Sequence, residues 1–319
     1  MRLEDWRDLA PGQIAPLYAA ERTRWLRDLS WDLDASWQIV EDARQAGVLP
    51  GWVAREPDGE IAGWCYFLVR DARLQIGALA GHRAATIRSL LDAVIAAPET
   101  CAARHYDGFL YPESDAVVAA LARRRFRLEP YYYLERSLAP LAAGASPTPH
   151  LRPWDMVDLP DAVRLLARAY AGSSGMRCFA PNGRIEEWTT YLTQMVRTRA
   201  CGELALPCSF AAPGRDTLDG FVVTTWVAPR TAHVAQVAVA PDRRGRGLGR
   251  SLLVASLDAA RRHGAARVTL LVSGSNTAAR RLYASLGFVE RTQFVFGERA
   301  AVTRTVQPAA ARPLVRISA

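Results

Sequence analysis

VAVAPDRRGRGLGR, residues Val237–Arg250, is the most informative segment of this chain. Its first residues alternate valine with alanine and predict a strand that ends at Pro241. The glycines at positions 245, 247 and 249 predict a tight turn whose backbone N–H groups are open to a ligand. A helix that begins in this turn adds unpaired N–H groups and the positive end of its dipole. Because four arginines lie within the same eight residues, the segment predicts a pyrophosphate-binding turn.

Two other glycine-rich turns that bind phosphate do not fit this segment. A P-loop needs a lysine followed by serine or threonine after its last glycine, and the chain contains no lysine. A dinucleotide-binding turn spaces its glycines as G-x-G-x-x-G, whereas here the spacing is G-x-G-x-G. The pattern that remains, Arg244-x-x-Gly247-x-Gly249, resembles the coenzyme A pyrophosphate loop of the GNAT (Gcn5-related N-acetyltransferase) superfamily.

The sequence after the turn strengthens this resemblance. Ser251–His263 carries apolar residues at helical spacing, and Gly264 predicts the end of that helix. Val268–Val272 predicts an apolar strand. On this pattern, residues 148–298 are identified as a member of the superfamily.

The last helix of this region has its own signature. SGSNTAARRLYASLGF, Ser273–Phe288, predicts a helix whose N-terminus is capped by Ser275 or Asn276. Gly287 predicts a left-handed stop, after which Phe288 packs back on the helix. The pattern N-x-A-x-x-L-Y-x-x-L-G-F, at this distance after the glycine turn, is typical of the superfamily.

The resemblance implies an N-acetyltransferase that takes acetyl-CoA as co-substrate and no metal. Such chemistry needs an uncharged amine, a donor for the carbonyl oxygen and a proton for the leaving thiolate. In the family, the strand that matches Gln236–Val239 splays from its neighbour and pairs with the pantetheine arm through its backbone. Tyr283 matches the tyrosine that protonates the thiolate, and the alternative is a half-buried core aromatic. The coenzyme-binding residues that the resemblance implies are Val237, Ala238, Val239, Arg244, Gly245, Arg246, Gly247, Leu248, Gly249, Arg250, Asn276, Ala279 and Tyr283.

The general base is the point at which the sequence departs from the family. Many relatives carry a glutamate eleven residues before the position of Arg244, and here that position is His233. A neutral imidazole accepts an ammonium proton directly or through water, which makes His233 a catalytic candidate. Two alternatives stay open. His233 satisfies hydrogen bonds at a strand start, or the amine arrives deprotonated and no side chain acts as base.

The two halves of the chain resemble each other. Residues 140–149, rich in proline, alanine and glycine, predict a linker between them. A hairpin predicted over residues 51–66 corresponds to one over residues 208–226, with Gly63 in the place of Gly220. A repeated supersecondary unit of this size predicts two copies of one fold.

The expected fold is therefore α/β (α+β), with two tandem GNAT-like domains, each a mixed, mostly antiparallel sheet flanked by helices. The predicted boundaries are 1–139 for a degenerate GNAT-like domain, 140–149 for the linker, 150–299 for the catalytic domain and 300–319 for a C-terminal tail. The first copy lacks the Gly-x-Gly turn after its strand. Aligning Phe126 with Phe288 places Leu121 where the second copy has Tyr283. The first domain is thus expected to support the fold or the acceptor side.

The composition of the chain limits the classes of partner that are expected. The net charge of +8 is explained by the arginine cluster of the turn and by Arg123–Arg125 at a helix end, so nucleic acid is not expected. Five cysteines without C-x-x-C spacing argue against disulfides and a zinc site. Without an N-terminal apolar segment or a membrane-length stretch, a cytoplasmic protein with no membrane partner is expected, as a monomer or homodimer.

The acceptor side is expected within residues 160–199. The glycine-containing loop Ser173–Arg184 is either a lid over the acceptor or an exposed connector. Glu186 and Glu187 either attract an ammonium group or charge the first turn of a helix. The leading hypothesis is transfer of acetyl from acetyl-CoA to a small-molecule amine by direct attack. The alternatives are a non-catalytic acyl-CoA-binding module and a protein or peptide N-acetyltransferase.

Overall fold

The computed structural model describes residues 1–138, 151–198 and 201–300, except positions 71, 113 and 216. Their contacts group into two compact units. Unit 1 contains Met1–Ala20, Trp37–Tyr131 and the described residues from Gln293 onward. Unit 2 contains Glu21–Ser36 and Tyr132–Thr292. The predicted linker and nearly all of the predicted tail lie outside the described residues.

The helices and strands follow one another along the chain in this order: β1 Arg2–Asp5, α1 Pro11–Leu29, α2 Asp34–Gln45, β2 Gly51–Arg55, β3 Ile61–Arg70, β4 Arg73–Gly81, α3 Ala84–Ala96, β5 His105–Leu110, α4 Asp115–Arg123, β6 Arg127–Ser137, β7 Arg152–Pro153, α5 Leu159–Ala169, α6 Ile185–Arg197, β8 Glu203–Leu204, β9 Phe210–Pro213, β10 Leu218–Ala228, β11 Thr231–Val239, α7 Leu248–Arg262, β12 Arg267–Ser273, α8 Thr277–Ser285 and β13 Val289–Ala300.

Unit 1 is built on a sheet with the strand order β1-β2-β3-β4-β5-β13. The neighbours are antiparallel except for the parallel pair β4 and β5. Apolar residues of α3, including Ile87, Leu90 and Leu91, are fully buried against this sheet. Their spacing of three and four residues places them on one helix face.

Unit 2 has the strand order β6-β12-β11-β10-β9-β7, with β8 paired to β10. Its sheet buries a separate core on each face because successive side chains of a strand point to opposite sides. Val222 of β10 lies in the core that holds α7 and α8, whereas Phe221 and Val223 lie in the core that holds α5 and α6. The sheet is therefore mixed and covered by helices on both faces, as predicted.

The ends of α4 and α8 confirm that the halves are built alike. The Phe126 N–H donates to the Leu121 carbonyl at 3.1 Å, and the Phe288 N–H donates to the Tyr283 carbonyl at 3.1 Å. Gly287 has φ +79° at the stop of α8, and at the same place after α4 Arg125 has φ +60°. The predicted alignment of Leu121 with Tyr283 is thus confirmed.

The β3–β4 hairpin and the β10–β11 hairpin carry a bulge at matching positions. The register shifts after Tyr66 in one hairpin and after Val223 in the other, three residues beyond Gly63 and Gly220 respectively. A Cβ on Gly63 would lie 2.6 Å from the Ala80 carbonyl oxygen, and one on Gly220 would lie 3.0 Å from that of Ala238. Both glycines therefore permit a close approach of neighbouring strands.

The units do not coincide with the sequence halves at every segment. Glu21–Ser36, from the first half, belongs to unit 2. Residues 132–137 of β6 also belong to unit 2, while residues 293–300 of β13 belong to unit 1, where Val295–Ala300 pairs with β5. For residues 132–137 and 293–300 the physical reason is strand pairing, which sequence order does not fix. The segment Glu21–Ser36 contains no strand and joins unit 2 through side-chain packing, such as that of Trp31 on His233. None of the described helices has the length and apolar character to cross a bilayer.

Candidate functional site

The glycine turn between β11 and α7 uses two of its three glycines for backbone shape. Gly245 has φ +74° and Gly247 has φ +83°, both in the left-handed region, and Gly247 immediately precedes α7. A Cβ added at either would meet no atom within 4 Å, so the space above the turn is open. Gly249 was predicted to belong to the turn itself, and here the structure differs. It lies in the first turn of α7, and its Cβ would face Leu282 and Val239 at ordinary contact distances of 3.5 and 3.6 Å.

The backbone N–H groups of this turn are open among the residues that the structure describes. No described residue accepts a hydrogen bond from the amides of Gly245 to Arg250. The first hydrogen bond at the start of α7 is donated by Ser251, whose N–H bonds to the Gly247 carbonyl at 3.0 Å. Six consecutive donors at the positive end of a helix dipole, with open space above them, fit a diphosphate.

The arginines of the turn differ in their contacts. Arg243 pairs with Asp219 at 3.1 Å, Arg244 donates to the Ala169 carbonyl at 2.5 Å, and Arg250 donates to Ser285 Oγ at 2.6 Å. Arg246 is exposed, and no described residue pairs with its guanidinium. The four arginines therefore do not contribute equally to phosphate binding, and the Arg246 guanidinium is the best placed to bind a ligand.

Strands β11 and β12 separate beside the turn. Their parallel pairing ends at Val234–Leu270, although β11 continues to Val239 and β12 to Ser273. Beyond the last pair, every second N–H and C=O group of β11 faces a gap instead of a ladder partner. The splay that the resemblance implies is confirmed, and Val237, Ala238 and Val239 remain the predicted coenzyme contacts.

Helix α8 borders this region and carries the predicted proton donor. The Asn276 side chain caps the helix by accepting from the Ala279 N–H at 3.1 Å, which confirms one of the two predicted caps. Tyr283 is 6% exposed, and its ring packs against Phe288 with centroids 5.9 Å apart. Burial raises the pKa of the Tyr283 phenol, so the hydroxyl stays protonated at neutral pH and has a proton to donate.

His233 lies on β11 in a closed environment. Its Nδ1 shares a hydrogen bond with Thr269 Oγ1 at 2.9 Å. The ring is covered by Trp31, at 4.8 Å between centroids, and by Tyr133, at 6.2 Å. Burial lowers the pKa of His233 to about 3. These contacts favour the alternative in which His233 satisfies hydrogen bonds, since a base must reach the amine and hold its proton.

We expect His233→Gln to keep kcat within about twofold, whereas removal of a general base costs about 10²-fold or more. The stability effect is pH-dependent. Because the pKa of His233 is lowered from 6.5 to about 3, its neutral form stabilises the folded chain fully above pH 6.5. That contribution is lost as the pH falls towards 3, so the unfolding midpoint of the wild type should fall more steeply in acid than that of the variant. Kinetics at neutral pH and denaturation between pH 7.5 and 4 measure both, and a 10²-fold loss of kcat would contradict the structural role.

The predicted acceptor side, residues 160–199, contributes two tyrosines to a hydrogen-bonded group that the sequence did not reveal. The Tyr191 hydroxyl donates to Gln236 Oε1 at 2.9 Å, and Gln236 Nε2 donates to Tyr170 Oη at 3.1 Å. Trp188, which is fully buried, packs on the Tyr170 ring at 5.2 Å. In the sequence, Tyr170 follows Leu159, Val163 and Leu166 at helical spacing, which predicts only an apolar helix face. Trp188 and Tyr191 are three residues apart, which places both on one face of α6, and this spacing was the sequence signal for the group.

The loop Ser173–Arg184 folds onto the same helix. The Phe179 ring lies 4.7 Å from that of Tyr191. Glu187 accepts hydrogen bonds from the Asn182 backbone, the Asn182 side chain and the Arg184 backbone, at 2.6–3.1 Å. Its role at the helix start is therefore confirmed, while Glu186 is exposed in the first turn of α6.

A cavity of about 410 Å³ lies at the other end of α7 and is lined by Ser137, Leu138, Arg230, Arg261, Gly264, Ala265 and Ala266. Its two guanidinium groups make it a rival anion site, but it adjoins the negative end of the helix dipole. Across the described ranges, no cluster of three or more His, Cys, Asp or Glu residues is arranged to hold a metal ion.

Comparison with known proteins agrees with the geometry. A family model described as the acetyltransferase (GNAT) family matches residues 175–288. A mycothiol acetyltransferase of Beutenbergia cavernae is 29% identical over 249 residues, which cover 74% of this chain and 79% of that protein. A [ribosomal protein bS18]-alanine N-acetyltransferase of Escherichia coli K12 is 33% identical over 138 residues, covering 43% of this chain and 79% of that protein.

Two solved structures share the fold. A GCN5-related N-acetyltransferase from Sphaerobacter thermophilus superposes with a TM-score of 0.66 at 17% identity, over 94% of this chain and 96% of that one. A tandem GNAT protein from the clavulanic acid biosynthesis pathway gives a TM-score of 0.56 at 18% identity, over 80% and 83% of the two chains. At these identities, the likeness concerns architecture alone.

Proposed function

Since the chain belongs to the GNAT family of acetyltransferases, we propose that unit 2 transfers an acetyl group from acetyl-CoA to the primary amine of a small molecule. The observation that carries the proposal is the run of six backbone N–H groups, from Gly245 to Arg250, that no described residue uses. Oriented amides of this kind bind anionic oxygens, and the diphosphate of coenzyme A supplies them.

The residues around the splayed strands match the needs of acyl transfer. The backbone N–H groups of Val237–Val239 that face β12 are the donors for the pantetheine arm and the thioester, because β11 has no partner on its β12 side there. Tyr283, kept protonated by burial, gives its proton to the leaving thiolate. None of the members of the Tyr191–Gln236–Tyr170 group is a carboxylate, so we propose that the amine enters uncharged and attacks directly.

The small-molecule acceptor is favoured by the extent of the sequence matches. The mycothiol acetyltransferase match covers 74% of this chain and so includes residues of both units, whereas the bS18-alanine N-acetyltransferase match covers 43%. A protein N-terminus is therefore the second candidate acceptor. No substrate identity is carried over from either relative.

The test combines binding and turnover with purified full-length protein. Acetyl-CoA is titrated by calorimetry, and thiol release is followed with a panel of small amines and with an alanine-terminated peptide. We expect saturable binding and release of coenzyme A with a small amine. Binding without turnover on any acceptor would support the non-catalytic module instead, and preference for the peptide would support a protein acceptor.

Arg246→Ala should weaken acetyl-CoA binding by about tenfold, because one charge-assisted hydrogen bond to phosphate is lost. The loss should shrink at high salt, since the guanidinium is exposed. Arg243→Ala is the matched control. Its guanidinium is already paired with Asp219, so affinity should change by no more than about twofold. Calorimetric Kd values at low and high salt measure both, and equal losses for the two variants would refute the distinction.

A further inference from the structure

We propose that Tyr170 is a further catalytic residue, which donates a hydrogen bond to the thioester carbonyl oxygen as negative charge develops there. The inference rests on the proposed function. It assigns a role to a residue outside the strand, turn and helix that carry the family pattern. Three hydrogen bonds around Gln236 support it.

The direction of these hydrogen bonds is fixed by one contact. Gln236 Nε2 lies 3.2 Å from the Val237 carbonyl oxygen, which only accepts hydrogen bonds. The amide nitrogen therefore occupies this position, and the amide oxygen faces the other way. Because Oε1 only accepts, the Tyr191 hydroxyl must donate to it at 2.9 Å. Because the amide NH₂ group only donates, Nε2 donates to Tyr170 Oη at 3.1 Å.

This arrangement leaves the Tyr170 hydroxyl proton available. The Tyr170 oxygen receives a hydrogen bond from Gln236, and no described residue accepts the proton of its hydroxyl. A hydrogen bond received at the oxygen polarises the O–H bond and strengthens its donation to another acceptor. Burial raises the pKa of Tyr170, so the group remains a donor at neutral pH.

The position of Tyr170 fits the thioester. Gln236 immediately precedes the β11 residues proposed to hold the pantetheine arm. Because Tyr170 is hydrogen-bonded to Gln236, its hydroxyl lies beside the part of β11 proposed to hold the thioester, where a donor is suitably placed for the carbonyl oxygen. Packing of Trp188 on the Tyr170 ring limits the motion of this donor.

The step balances as follows. The amine nitrogen forms a bond to the carbonyl carbon, and the π electron pair moves to the oxygen, where the Tyr170 O–H stabilises it without transferring its proton. The oxyanion then collapses, the C–S bond breaks, and its electron pair goes to sulfur, which takes the proton of Tyr283. The amine proton leaves to solvent, and Tyr283 regains a proton from solvent. Tyr191 acts through Gln236 and is a positioning residue.

The experiment uses hydroxylamine as the acceptor, because it is uncharged at neutral pH and needs no specific pocket. Acetohydroxamate formation from acetyl-CoA is measured for the wild type, Tyr170→Phe, Tyr191→Phe and the double variant. Tyr170→Phe should lower kcat about tenfold and leave the KM for acetyl-CoA and the unfolding midpoint unchanged. Tyr191→Phe should lower kcat about threefold, and the double variant should be no slower than Tyr170→Phe alone.

The controls separate this inference from the proposed function. Tyr132→Phe removes a hydroxyl elsewhere in unit 2, where the ring lies under Arg280, and should keep the wild-type rate. Wild-type kcat in Tyr170→Phe, or multiplicative losses in the double variant, would overturn the inference alone. A wild type without activity on hydroxylamine and on the amine panel would overturn the proposed function and the inference together.

Discussion

Replacing Tyr283 with phenylalanine should lower kcat by about 10²-fold or more and leave the KM for acetyl-CoA within about twofold. The substitution removes the proton that the thiolate needs, and it keeps the ring that packs on Phe288 at 5.9 Å. The effect therefore belongs to the transition state and not to coenzyme binding. Initial rates of coenzyme A release at several acetyl-CoA concentrations separate the two constants.

Two controls test whether the loss of kcat in Tyr283→Phe has a structural cause. The unfolding midpoint of Tyr283→Phe should match that of the wild type, since no described residue hydrogen-bonds to the Tyr283 hydroxyl and the ring packing is kept. Tyr132→Phe, from the same unit, should retain wild-type kcat. If Tyr283→Phe keeps full activity across the pH range, the assignment of the acid is wrong.

Gly247→Ala should raise the Kd for acetyl-CoA by about 10²-fold, through strain and the loss of hydrogen bonds from displaced amides. At φ +83° an alanine is strained, and its Cβ would occupy the open space above the turn. The turn relieves this strain by rotating, which moves the neighbouring N–H groups from the diphosphate. Calorimetric titration of the variant with acetyl-CoA measures the loss.

Two glycines, one after the end of α7 and one in its first turn, serve as matched controls for Gly247→Ala. Gly264→Ala places the same residue at φ +91° with no atom within 4 Å, so it carries comparable strain at the other end of the helix. Gly249→Ala adds a Cβ that faces Leu282 and Val239 instead of the open space. Both should bind acetyl-CoA within about threefold of the wild type. A loss in Gly264→Ala equal to that in Gly247→Ala would attribute the effect to general destabilisation.

The sequence was sufficient for features that depend on local pattern. The strand, glycine turn and helix around Gly247 follow from residue type and spacing, and so do the Asn276 cap and the Gly287 stop. The alignment of Leu121 with Tyr283 also depends on a short motif. These features are encoded within a few residues, where propensity and capping chemistry act.

Features that depend on distant contacts could not be predicted. Trp31 covers His233 because Glu21–Ser36 packs within unit 2, and no local sequence pattern predicts that contact. The hydrogen bonds of Tyr191 and Tyr170 to Gln236 require two helices and a strand to meet. The partners of Arg243, Arg244 and Arg250 are likewise set by tertiary packing. Of the four arginines within residues 243–250, Arg246 is therefore the one whose guanidinium pairs with no described residue.

A crystal structure of the full chain with coenzyme A bound tests the central claim most directly. We predict diphosphate oxygens within about 3 Å of the backbone nitrogens between Gly245 and Arg250, over the Gly245 and Gly247 positions that have open space above them. A diphosphate bound instead in the cavity beside Arg230 and Arg261, with the turn amides free, would contradict the account.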